Sequence, residues 1–187
     1  MKLKIVVGIT GASGAIYAKA LINKINAHPE LVRICDIIFS DQAKKVWKYE
    51  LNENDFEQLP NKIWPNNTFF APFASGSSDF DVLIVCPCTM GTMAKIASGL
   101  ASDLISRTAD VMLKERRKLI LVTRETPLNI IHINNMKTIT EAGGIILPAN
   151  PSFYNHPKKV DDLVDGLINK ILSMAGFSGF RKNWISE

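Results

Sequence analysis

Apolar residues in this chain fall into short unbroken runs that alternate with amphipathic stretches. Leu3 to Val7 is the first run, and Gly8-Ile9-Thr10-Gly11-Ala12-Ser13-Gly14 closes it. An apolar run ending in glycines reads as a buried parallel strand entering a tight turn. Ile16, Ala20, Leu21 and Ile25 then recur at helical spacing, so the turn opens a helix. Leu31 to Ser40 predicts a second strand, and Ser40-Asp41 is a sound N-cap for a helix from Gln42 to about Leu51. On that helix Ala43, Val46, Trp47 and Glu50 fall on adjacent turns. The polar, proline-bearing run from Asn52 to Asn67 predicts an irregular connection. Val82 to Cys86, Lys118 to Val122 and Ile145 to Leu147 predict further strands. Helical patterns cover Met93 to Ala97, Asp103 to Arg117, Ile130 to Ala142 and Val160 to Ala175. Such alternation predicts an α/β domain built on a doubly wound parallel sheet. That domain takes in residues 1–175. The tail 176–187, with Phe177, Phe180 and Trp184, is too apolar for a free end. It is expected to pack on the body or on a neighbouring subunit.

Composition narrows the function classes. The 187 residues carry a net charge of +4, with 47% hydrophobic and 21% charged residues, which suits a globular domain with a full core. Lysines and arginines are dispersed rather than massed, so small anions are better expected partners than nucleic acid. No apolar run approaches the roughly 20 residues of a membrane span, and the N-terminus lacks a signal-peptide layout. A cytoplasmic protein with no membrane partner is expected. Cys35, Cys86 and Cys88 are odd in number and lie in or beside predicted strands, which predicts reduced thiols. His28, His132 and His156 are scattered, and Cys86-Pro87-Cys88 lacks a zinc-site spacing, so no metal site is expected.

Candidate chemistry gathers where strands end. The first turn, spaced G-x-x-G-x-x-G, sets backbone N–H groups, a helix start and the Ser13 hydroxyl where a phosphate can bind. It is not the dinucleotide spacing, and no lysine follows as a P-loop requires. Ala74-Ser75-Gly76-Ser77-Ser78 is a second loop dense in donors, and Cys86-Pro87-Cys88-Thr89-Met90-Gly91-Thr92 is a third small-residue turn. Asp79 and Asp81 read as strand-entry residues. Arg107 and Lys114, seven apart, share a helix face. Arg124-Glu125-Thr126-Pro127 follows a buried strand, where open α/β sheets place their ligands.

Taken together, these stretches resemble the UbiX-type flavin prenyltransferases of the flavin-containing cysteine decarboxylase superfamily. The matching segments are Thr10 to Ala15, Ala74 to Ser77, Cys86 to Thr92, Arg107 to Arg117, Arg124 to Pro127 and Pro151-Ser152-Phe153-Tyr154. They keep family order over nearly the whole chain. The most specific are Ala-Asp-Val-x-Leu-Lys-Glu-Arg-Arg and Arg-Glu-Thr-Pro. The resemblance implies a flavodoxin-like or Rossmann-like three-layer sandwich. The implied reaction joins the dimethylallyl group of dimethylallyl monophosphate to N5 and C6 of reduced FMN without a metal. Its product, prenylated FMN, serves a UbiD-type decarboxylase, and the implied assembly is a homododecamer with active sites at subunit contacts.

The resemblance also implies residue roles. Gly11, Ala12, Ser13, Ser40, Thr89, Met90, Gly91, Thr92 and Arg124 match FMN contacts. Lys114, Arg124, Tyr154 and Lys170 match the positions that bind the donor phosphate, with Ser75 and Arg107 as additions to that shell. Glu125 matches the proposed acid on the phosphate, and Glu50 a glutamate near the reacting flavin, suited to the proton lost on ring closure. These fit the chemistry, since a departing phosphate calls for cations and a proton donor. Trp184 or Tyr154 would shelter allyl cation character. Position 170 is commonly Arg in the family and is Lys here, which keeps the charge but loses the bidentate fork.

Two rival readings stand beside this one. An FMN-dependent cysteine-type decarboxylase would carry a catalytic histidine on an early helix, and Gln42 to Leu51 has none. A non-catalytic FMN carrier, serving as accessory subunit of a decarboxylase, would bind flavin but need no cage for an allyl phosphate.

Overall fold

The structure is a computed structural model that describes residues 2–52 and 54–180. Strands Leu3–Ile9 (β1), Val32–Phe39 (β2), Ile63–Pro65 (β3), Val82–Cys88 (β4), Lys118–Thr123 (β5) and Ile145–Ile146 (β6) form one sheet in the order 3-2-1-4-5-6. Every neighbouring pair is parallel. The helices are Ala15–Asn26 (α1), Asp41–Leu51 (α2), Met90–Ala97 (α3), Leu104–Lys114 (α4), Ile130–Glu141 (α5) and Val160–Ala175 (α6). This is the doubly wound, flavodoxin-like three-layer fold that the sequence predicts. Among the described residues no helix is long and apolar enough to cross a membrane.

Side-chain alternation on the strands divides the core in two. Ile5, Val7, Ile9, Ile84, Ile120 and Val122 point to one face and pack with α1, α6 and Trp47 of α2. Val6, Ile38, Leu83, Val85, Leu119 and Leu121 point to the other and pack with residues of α3, α4 and α5. Burying each such side chain contributes roughly 1.5–3 kcal/mol. Beyond α6, Phe177 is buried in the first core, and the Phe180 ring stands edge-on to His28 with centroids 5.1 Å apart. Trp184 lies outside the described residues.

Four sequence expectations need correction. The run Asn52 to Asn67 is not wholly irregular: a short 3-10 turn spans Asp55–Gln58, and β3 forms the sheet edge. Trp64 fixes this strand, its indole N–H donating to the buried Asp36 carboxylate at 2.8 Å. Helix α3 starts at Met90 rather than Met93, because the Thr89 side chain accepts the Thr92 N–H at 3.1 Å and caps it. Helix α4 ends at Lys114 rather than Arg117, because Arg116 takes the left-handed region at φ 56°. Strand β4 continues through Cys88, with its register shifting at Pro87, which has no N–H to give the ladder.

Candidate active site

In sequence order the chain fills one side of the sheet, β1 to β3, and then crosses back to place β4 on the other side of β1. The β1/β4 boundary is therefore the switch point, where open α/β sheets form a crevice at their strand ends. Thr10, 3% exposed, ties its two walls together. Its hydroxyl donates to the Pro87 carbonyl at 2.7 Å and accepts the Thr89 N–H at 2.8 Å. The Arg124 N–H donates to the Cys88 carbonyl at 3.3 Å, joining the end of β5 to the same wall.

The loop Gly11-Ala12-Ser13 forms the β1 wall. Gly14 caps α1 at φ 115°, a conformation that favours glycine. Gly11 lies so close to Gln42 of α2 that an added Cβ would sit 2.6 Å from the Gln42 Cβ. The other wall is the start of α3. Met90 is buried and Gly91 exposed, with nothing within 4 Å of where a Gly91 Cβ would point. Ser40 caps α2, its hydroxyl oxygen accepting the Ala43 N–H at 3.1 Å. Arg124 reaches back across the crevice, Nε donating to the Ser13 carbonyl at 3.1 Å.

Glu50 modifies the expected anion seat. Its carboxylate accepts the Gly14 N–H at 2.9 Å and the Ala15 N–H at 2.8 Å, so the start of α1 is already capped by the chain itself. Burial pushes the Glu50 carboxyl up, but the Ser13 hydroxyl, the Ala15 and Gly14 N–H groups and the Arg124 charge together hold it below the usual carboxylate range. It is thus ionised at neutral pH. The donor groups of the crevice beyond that cap are the start of α3, where Thr89 already takes the Thr92 N–H, the Ser40 hydroxyl and the Arg124 guanidinium. An anionic ligand suits these donors, and the exposed Gly91 sets no side chain in its way at the start of α3.

The remaining expected site residues occupy two other places. Ser75, Arg107 and Lys114 gather where the serine loop meets α4. Arg107 Nε donates to the Ala74 carbonyl at 3.0 Å while its Nη1 pairs with Asp110 at 2.8 Å. Lys114 pairs with Glu115, and the Ser75 and Ser77 hydroxyls lie 2.9 Å apart. Helix α4 runs back from the strand ends, and Lys114 closes it about 15 Å along, by the 1.5 Å rise per residue. Tyr154 and Lys170 line a cavity of about 730 Å³ with Asn155, Asn169, Ser173 and Phe177. Glu125, exposed, follows Arg124, and its carboxylate accepts the Thr126 N–H at 3.1 Å. The single chain therefore brings together the expected flavin contacts with Glu50 and Arg124. It leaves Lys114 and Arg107 in one cluster and Tyr154 and Lys170 in another.

Two residues at the crevice were not anticipated. Thr10 stands in the recognised turn, and the short polar side chain at the end of a buried strand was the available signal. Tyr17, one turn into α1, lays its ring against Gly14. Burial and nearby Cys86 raise the Tyr17 phenol, while Arg124 acts the other way. Burial pushes the thiols behind the crevice up, Cys88 to about 12 and Cys86 further.

Known proteins share both the sequence pattern and the fold of this chain. Residues 1–172 match the Flavoprotein family. Flavin prenyltransferase UbiX of Methanocaldococcus jannaschii is 42% identical over 185 residues, which is 97% of this chain and 98% of that protein. The crystal structure of AnUbiX in complex with FMN and dimethylallyl pyrophosphate superposes with a TM-score of 0.91, at 39% identity and full coverage of both chains. A dodecameric FMN-dependent UbiX-like decarboxylase from Escherichia coli also superposes with a TM-score of 0.91. It is 37% identical, over 97% of this chain and 99% of that one.

Proposed function

The chain belongs to the UbiX-type flavin prenyltransferases, enzymes that prenylate FMN, and from that premise we propose how its own residues divide the work. The β1/β4 crevice takes FMN, with Gly11, Ala12, Ser13, Ser40, Thr89, Met90, Gly91, Thr92 and Arg124 as contacts. The observation that carries this assignment is the Arg124 side chain, bonded across the crevice to Ser13 beside the start of α3. When bound in reduced form, FMN supplies two nucleophilic positions, N5 and C6, to which the allyl group is joined. Glu50, ionised at the rim, takes the proton released when the second bond forms.

The prenyl donor in this reading is dimethylallyl monophosphate. As its C–O bond breaks, negative charge builds on the phosphate oxygens. Lys114, Arg124 and Lys170 offset that charge, Tyr154, Ser75 and Arg107 help hold the group, and Glu125 gives it a proton. These residues lie in separate places within one chain. We therefore assign the complete cage to contacts between copies in a homo-oligomer, with the dodecamer of the Escherichia coli relative as the expected form. Residues 1–175 act as one flavoprotein domain, and the product passes in the cytoplasm to a UbiD-type decarboxylase.

Initial rates with excess reduced FMN and either the monophosphate or the diphosphate donor test this reading, with oligomer size followed by light scattering. A higher kcat/KM for the monophosphate, confined to the oligomer, is expected. Equal rates with the diphosphate would overturn the donor assignment, and full activity in a monomer would overturn the shared cage.

A further inference from the structure

Arg117 takes no part in the roles above, yet it is bound to the serine loop. It follows the left-handed turn at Arg116, and its backbone N–H closes that turn on the Met112 carbonyl at 2.8 Å. Its Nη2 donates to the Gly76 carbonyl at 2.9 Å, while its Nη1 is buried and has no hydrogen-bond partner among the described residues. Arg107 grips the same loop two residues earlier, through the Ala74 carbonyl at 3.0 Å. Ser75 therefore stands between two carbonyls, each held by a guanidinium. Lys114 and Glu115 close on Gly76 as well, since both side-chain ends occupy the space where a Cβ would stand.

We propose that Arg117 is a positioning residue for the prenyl donor, acting through the Ser75–Ser77 loop rather than by touching the donor; this rests on the donor-binding role given above to Ser75, Arg107 and Lys114. A loop of small residues has little side-chain packing of its own to fix its shape. The bond from a charged donor to the Gly76 carbonyl supplies that constraint. It holds the Ser75 hydroxyl and the Lys114 ammonium in a fixed relation. Arg117 is half-buried with its Nη1 unpaired among the described residues, which is costly, so its place is better explained by the loop it holds than by stability. The flavin crevice lies at the strand ends, and among the described residues the Arg117 side chain bonds to the serine loop instead. The effect of losing Arg117 should fall on the donor alone.

Three variants and the wild type decide it. Wild-type turnover with reduced FMN and dimethylallyl monophosphate first establishes the underlying reading; without turnover, that reading is what fails. Given turnover, Arg117→Met should raise donor KM by about tenfold, the loss expected for a bond from a charged group. FMN affinity, read by fluorescence titration, should stay within about twofold. Arg117→Gln, polar but too short to reach Gly76, should show the same split. Arg117→Lys, which restores a charged donor, should recover most of the donor affinity. An unchanged donor KM, an equal loss of FMN affinity, or failure of both neutral variants to fold overturns the proposal.

Discussion

The Glu50 carboxylate accepts the backbone N–H of Ala15 at 2.8 Å, so the last turn of α2 caps the first turn of α1. The chain thus satisfies with its own acid a helix start that would otherwise attract an anion. Glu50→Gln should lower stability at pH 7 by roughly 1 kcal/mol, the usual worth of a helix cap. The Glu50 carboxyl is held below its ordinary value of 4.5. Its charge therefore stabilises the fold fully above that value, and the contribution is lost as pH falls below it. Thermal unfolding of the two proteins at pH 7 and pH 4 checks this: the gap should narrow at the lower pH. A gap that widens on acidification would contradict the cap.

Thr10→Val removes the hydroxyl that joins the crevice walls, leaving the half-buried Thr89 N–H without its acceptor. One buried and one half-buried hydrogen bond are lost, and the expected destabilisation is roughly 2 kcal/mol. Because both walls contact the flavin in this account, FMN affinity should fall together with the urea midpoint. A destabilised variant with unchanged FMN affinity would place the ligand elsewhere.

Lys170 and Lys114 are separable tests of the donor site. Lys114→Ala should raise donor KM by about tenfold or more, as for a lost bond to a charged group, while FMN affinity holds. Lys170→Arg should lower donor KM by a few-fold, since a guanidinium engages phosphate oxygens in pairs. Steady-state kinetics at saturating reduced FMN distinguish both effects from changes in flavin binding.

Asp36 tests the edge strand. Its carboxylate is buried against Trp64, and burial raises its carboxyl above the ordinary value of 3.8, opposed by the Trp64 bond and Lys62. A raised value means the folded protein holds that proton more tightly than the unfolded chain, so ionisation weakens the fold at neutral pH. Asp36→Asn keeps an acceptor for Trp64 and removes the charge. It should raise the melting temperature at pH 7, and the gain should vanish near pH 3. A loss at pH 7 would show that the charge itself is needed.

Periodicity made the central sheet legible, because five of the strands announce themselves as apolar runs between turns. Strand β3 was hidden because Ile63–Pro65 is only three residues long and is held by a remote partner, Asp36. The ends of α3 and α4 differ from the sequence pattern for local reasons: a threonine cap reads as part of a turn, and Arg116 at positive φ leaves no mark in the sequence. At the site, the stretches expected to contact flavin carry a recognisable order, and they lie around one crevice. Three relations were not legible: Glu50 bound to α1, Thr10 bridging the walls and Arg117 holding Gly76. Each joins residues more than 30 positions apart, and spacing along a chain cannot report such contacts.

The account stands most directly on the identity of the flavin the protein releases. Under anaerobic conditions, the purified protein is mixed with reduced FMN and dimethylallyl monophosphate, and the released flavin is weighed by mass spectrometry. The predicted result is FMN heavier by one dimethylallyl unit from the wild type. Little of it should come from Glu125→Gln or Lys114→Ala, since a missing general acid alone slows such steps by about 10²-fold or more. Unmodified FMN returned by a wild-type protein that binds it well would contradict the central claim.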